Sequence, residues 1–70
     1  MQTLTSTQRE SVGKVLALSL EAVINNDYNY QTIKAINACA NKLKCNFKHN
    51  LKTTKYVLIS NINLMLKKVC

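Results

Sequence analysis

Carboxylates are scarce in this chain: it has three in 70 residues, all of them at or before Asp27, alongside one histidine, one glycine and no proline. General acid–base or nucleophilic catalysis needs titratable side chains that converge, and a phosphate-cradling loop needs several glycines. Neither set is present, so the chain is expected not to be an enzyme and to take no cofactor or small-molecule substrate. No apolar run approaches the ~18 residues that a bilayer span requires, and the residues after Met1 do not form a signal peptide. Cysteine occurs in an odd number, as Cys39, Cys45 and Cys70, without the layout of a disulfide framework. These absences predict a protein of the reducing cytoplasm that does not associate with membrane.

What is abundant is lysine, and it is unevenly placed. Residues 1–27 carry a net charge of −1, whereas residues 28–70 carry eight lysines and no acid, which gives the chain its +7. A basic half without carboxylates predicts attraction to an anionic partner, either an acidic protein surface or nucleic acid. The same composition also describes an ordinary solvated face in a chain rich in Asn and Lys.

Apolar spacing predicts an all-α fold, a small three-helix unit forming one domain over residues 1–70. The clearest signal is Ile33, Ile36, Ala40, Leu43 and Phe47, whose three- and four-residue steps place them on one helical stripe. Ahead of it, Val12, Val15, Leu16, Leu20 and Val23 mark another helix, and Thr7 with Glu10 matches a capping box that would start it near Gln8. The turn-forming run 25–29 separates the two, with Asp27 or Asn29 available as a cap. A weaker break around Asn50 precedes a third segment built on Leu58, Ile62, Met65 and Val69. The alternation of Ile62, Leu64 and Leu66 also fits a strand, but nothing splits the segment into a hairpin. Helices are therefore expected near 8–25, 30–48 and 54–68, with 1–7 flexible. Gly13, costly inside a helix, suggests a close helix crossing.

A chain this short buries only roughly 60% of the surface its unfolded form exposes, so its core needs reinforcement. Val12, Leu16, Leu20, Val23, Ile33, Ile36, Leu43, Phe47, Leu58, Ile62 and Met65 are the expected core or dimer residues. Further apolar residues on the first and third segments exceed what one chain is expected to cover, which predicts a homodimeric helical bundle.

Candidate binding residues are Lys34, Lys42, Lys44, Lys48, Lys52 and Lys55, grouped around the second break and suited to neutralising phosphates or carboxylates. Gln31, Asn37 and Asn41 are the side chains suited to reading bases. His49 lies four residues after Cys45, within reach of a shared metal ion, but two ligands do not make a site and no metal is expected. His49 then reads as a surface residue, and Cys39 as a small buried hydrophobe.

The run 9–16 (Arg-Glu-Ser-Val-Gly-Lys-Val-Leu), the Asn-rich break after it and the apolar helix opening at Ile33 resemble the enterobacterial AriR/YmgB biofilm and acid-resistance family, which includes the connector YcgZ. The resemblance covers residues 8–43 and needs about two inserted residues at the break. Its members are less basic and carry acids in their last two helices. It implies a small all-α dimer acting as a connector in two-component signalling, with direct DNA binding attributed to the AriR branch. The function expected is thus a regulatory protein–protein interaction module. The alternatives are a basic nucleic-acid-binding regulator and a phage-borne inhibitor of a host protein.

Overall fold

The computed structural model describes residues 4–69. They form three helices, α1 (Ser6–Ile24), α2 (Tyr30–Lys42) and α3 (Lys55–Val69), with no strand among the described residues. The β-like alternation in the third segment therefore lies on a helix. Leu58, Ile62, Met65 and Val69 face inward, while Leu64 is nearly half exposed.

Each helix starts at a side-chain cap. Thr5, rather than Thr7, caps α1: its Oγ1 accepts from Gln8 N at 3.1 Å, and Gln8 Oε1 accepts from Thr5 N at 3.0 Å. The hydroxyl–amide pair at 5 and 8 meets the same spacing rule as 7 and 10. Leu4 decides between them, because it packs against the core just ahead of the cap. Residues 4–7 thus belong to the folded unit, and 1–3 of the segment expected to be flexible lie outside the described residues. Asn29 caps α2 through Thr32 N at 3.1 Å, and Thr54 caps α3 through Val57 N at 3.4 Å.

Two helices end in left-handed residues. After α1, Asn26 has φ 57°, and Asp27 N donates to Ala22 O at 2.8 Å. After α2, Lys44 has φ 61°, and Cys45 N donates to Ala40 O at 2.8 Å. Both are six-to-one closures that satisfy orphan carbonyls. Asn tolerates the left-handed conformation, whereas Lys gains nothing from it. Consequently α2 stops at Lys42, six residues short of the expected end at Lys48, and Leu43, Phe47 and Lys48 are not helical.

The reason for the early stop is topological. Val15, Leu18 and Ala22 of α1 share one hollow with Gln31, Thr32 and Ala35 of α2, and only residues 25–29 join the two helices, so α1 and α2 pack as an antiparallel hairpin. Gly13 and Arg9 share a hollow with Leu66 and Val69, and Lys55 Nζ donates to Ile24 O at 3.0 Å, so α1 and α3 are antiparallel as well. Hence α2 and α3 run the same way, and the chain leaving α2 must return along its length before α3 can begin. A 13-residue helix is about 20 Å long. The non-helical residues 45–50 cover about that distance when extended. They form a strap laid back against α2.

The core is Val12, Leu16, Val23, Ile33, Ile36, Cys39, Ala40, Leu58, Ile62, Met65 and Val69, with Leu20, Tyr28, Leu43 and Phe47 half-buried against it. The core closes within a single chain. Val15, Leu18, Ile24, Val57 and Leu64 remain at least a third exposed. Gly13 is not at a close crossing, for a Cβ placed there meets nothing within 4 Å.

Candidate functional site: a strapped groove on α2

The face of α2 that carries Tyr30, Lys34, Asn37 and Asn41 is the one the strap crosses, because these residues recur at helical spacing. The crossing point is Asn37. Its Nδ2 donates to His49 O at 2.9 Å, and its Oδ1 accepts from His49 N at 3.0 Å. Both backbone groups of one strap residue are therefore paired with a single amide, as a neighbouring strand would pair them. The same Oδ1 lies 2.7 Å from His49 Nδ1, and Nε2 lies 3.0 Å from Asn61 Nδ2 on α3. A neutral imidazole with its proton on Nδ1 satisfies both contacts, donating to Asn37 and accepting from Asn61.

His49 is thus the polar key that joins strap, α2 and α3. It is 7% exposed, with the Phe47 ring 6.1 Å away, and burial pushes its pKa below the ordinary 6.5. The expected surface position of His49 is thus corrected, since nothing in the spacing shows that Asn37 and Asn61, each twelve residues away, converge on it. With both ring nitrogens engaged by amides, the juxtaposition of Cys45 and His49 is not a ligand pair. No group of three or more metal-binding side chains occurs among the described residues. Asn37, considered for base reading, is committed inside the fold.

Hollows open on either side of the crossing. Toward the start of α2 lies a groove of about 670 Å³ bounded by Tyr30, Ile33 and Lys34 on the helix and by His49, Leu51 and Lys52 on the connector. Toward its end lies one of about 620 Å³ bordered by Asn37, Asn41, Cys45, Phe47 and Lys48. In the first groove Ile33 is buried, whereas Tyr30 and Leu51 are 64% and 56% exposed. The wall carrying Leu51 and Lys52 is itself fixed, because Asn50 Oδ1 accepts from Lys52 N at 2.7 Å and Asn50 N donates to Thr53 Oγ1 at 2.9 Å.

The structure divides the predicted lysine cluster. Lys34 and Lys52 both line the first groove, and Lys48 borders the second. Lys42 and Lys44 are exposed at the end of α2. Lys55 is drawn to the end of α1, where its ammonium donates to the Ile24 carbonyl at 3.0 Å. Cys39 is buried, and burial raises its thiol pKa while nearby Lys42 lowers it. Cys70 lies outside the described residues.

What the fold and this geometry define is a three-helix unit with a strapped, lysine-edged groove. Comparison of the chain with known protein families, with curated proteins and with solved structures finds no match.

Proposed function

We propose that the protein is a regulatory protein–protein interaction module that binds an acidic partner surface through α2 and its strap. The observation that carries this reading is the meeting of Lys34 and Lys52 with exposed Leu51 and Tyr30 at one groove. Residues 28–70 have no acidic side chain. Exposed apolar side chains beside lysines suit a protein surface with complementary charge. The polar groups that do converge, Asn37, His49 and Asn61, satisfy one another and hold the scaffold. The resemblance of residues 8–43 to the AriR/YmgB family points the same way, toward a signalling connector of the cytoplasm, and a phage-borne inhibitor would use the same surface.

Homodimerisation belongs to this reading. Val15, Leu18 and Ile24 on α1, and Val57 and Leu64 on α3, are apolar surface that a second copy would cover. Sedimentation equilibrium under reducing conditions tests it, and a monomer mass at micromolar concentration removes the dimer.

A nucleic-acid reading has support in the exposed Lys42, Lys44 and Lys48 at the end of α2. The returning strap between α2 and α3 differs from the short turn of a helix-turn-helix, so this reading rests on phosphate contacts alone. Replacing Lys44, Lys48 and Lys52 with Gln would then flatten the dependence of log K on log salt by roughly one unit per lost contact. Affinity capture from bacterial lysate, with and without nuclease, separates the two: a partner lost on nuclease treatment overturns the protein-binding reading.

A further inference from the structure

The groove between α2 and residues 49–52 is an open trough. Among its lining residues Ile33 is buried, Tyr30 and Leu51 are each more than half exposed, and α2 contributes Lys34 while the connector contributes Lys52. A small ligand is ordinarily engulfed, with ~70–90% of its surface buried, which a trough with such exposed lining residues does not provide. Asn37 gives its amide to the His49 backbone and ring. An occupant therefore finds apolar contact and two lysines, with the Asn37 amide already spent and the Asn50 Oδ1 taken by Lys52 N and Thr53 Oγ1. The described residues contain no strand whose edge an extended segment could extend. What remains is a helix laid along the trough, anchored by apolar side chains at i, i+3 or i+4, and i+7. Its flanks would carry carboxylates, to complement Lys34 and Lys52 in a stretch, residues 28–70, that has no acidic side chain of its own.

We propose that this groove docks an acidic amphipathic helix of a partner protein, seating its apolar face on Ile33 and Leu51 and pairing its flanking carboxylates with Lys34 and Lys52. The proposal rests on the reading of the chain as a protein-binding module and adds to it where the partner sits and what its surface is made of.

The test is a nitrogen-15 NMR titration of the full chain with a synthetic peptide of roughly 15 residues, long enough to form helix on docking, bearing Leu at i, i+3 and i+7 with Glu on both flanks. Saturable shifts centred on Ile33, His49 and Leu51 support the proposal. Lys34 and Lys52 are exposed, so the Lys34→Glu/Lys52→Glu variant keeps the fold, which its circular dichroism verifies. That variant is expected to bind the peptide about 10-fold more weakly, and a peptide with Lys in place of Glu is expected to recover binding to it. Four outcomes overturn the proposal: no binding, shifts centred on Lys67 and Lys68 instead, equal affinity for a peptide with Gln in place of Glu, or displacement from the groove by a single-stranded DNA oligonucleotide. A nuclease-resistant protein partner that cross-links outside the groove refutes this inference while leaving the protein-binding reading intact. A partner lost on nuclease treatment refutes both.

Discussion

Replacing Asn37 with alanine removes three hydrogen bonds at once, those to His49 O, N and Nδ1. A net hydrogen bond contributes about 1 kcal/mol, and a buried donor left without a partner costs about 1–3 kcal/mol. Since the site is only part-buried, water recovers some of this, and the expected loss is about 3 kcal/mol. A 70-residue chain has roughly 4–10 kcal/mol of stability in all, so the variant forfeits a large share of it. In urea, with a slope of about 1 kcal/mol per molar for so small a protein, the midpoint should fall by about 2–3 M without a change in slope. The readout is helical circular dichroism.

The same experiment repeated across pH isolates His49. Its folded pKa lies below the ordinary 6.5 because burial disfavours the charged ring. As pH falls, the unfolded chain therefore takes up the proton first. Stability is full above about pH 7, declines through 6.5, and levels off only below the folded pKa. The limiting slope for one proton is about 1.4 kcal/mol per pH unit. Only three carboxylates, all on exposed residues, accompany this histidine. In Asn37→Ala the strap loosens and the ring hydrates, so the decline between about pH 7.5 and 5.5 should flatten. A loss smaller than about 1 kcal/mol, or a pH profile identical to that of the parent, would refute the view that His49 is locked by Asn37.

Gly13→Ala should stabilise the protein by about 1 kcal/mol, because the new methyl meets nothing within 4 Å and the helix gains in propensity. A rise in Tm of about 4–8 °C is the expected reading, and a fall would mean that the hollow beside Leu66 and Val69 is tighter than the geometry shows. Lys44→Gly relieves a left-handed non-glycine residue of φ 61° and should add about 0.5–1 kcal/mol after the entropy cost of glycine in the unfolded chain. Urea unfolding measures it, and an unchanged midpoint argues against strain at that cap. Lys55→Met removes the ammonium from Ile24 O and should cost about 0.5–1.5 kcal/mol, whereas Lys42→Met, on an exposed side chain, should cost less.

The helices were legible because their apolar residues recur every three or four positions, and this periodicity located Leu16, Ile36, Leu58 and Ile62 at the centre of the core. The end of α2 was not legible. Leu43 and Phe47 extend its stripe in sequence, yet they reach the core from outside the helix, because a returning strap also presents an apolar side chain wherever it meets the core. The groove was half visible: Lys34 and Lys52 stood among the candidates, while its apolar members depend on which wall the strap builds. Asn37–His49–Asn61 left no trace in local pattern, since side-chain networks obey geometry across separate elements rather than periodicity. One clue was available. An Asn in the middle of a helix has poor propensity, and its position directly beside the buried Ile36 marks it as a residue retained for something other than helix formation.

The parallel run of α2 and α3 also sets the order in which the chain can assemble. α1 and α2 are joined by a short turn and close a local hairpin at little entropic cost. α3 instead packs chiefly along α1, about thirty residues away in sequence at the Ile24–Lys55 contact. The strap cannot dock on Asn37 until both helices exist, since His49 needs α2 on one side and Asn61 of α3 on the other. The docking of His49 is therefore expected to follow the pairing of the helices and to be lost before it. Amide exchange at His49 should report this local opening well before the buried amides of α1 respond.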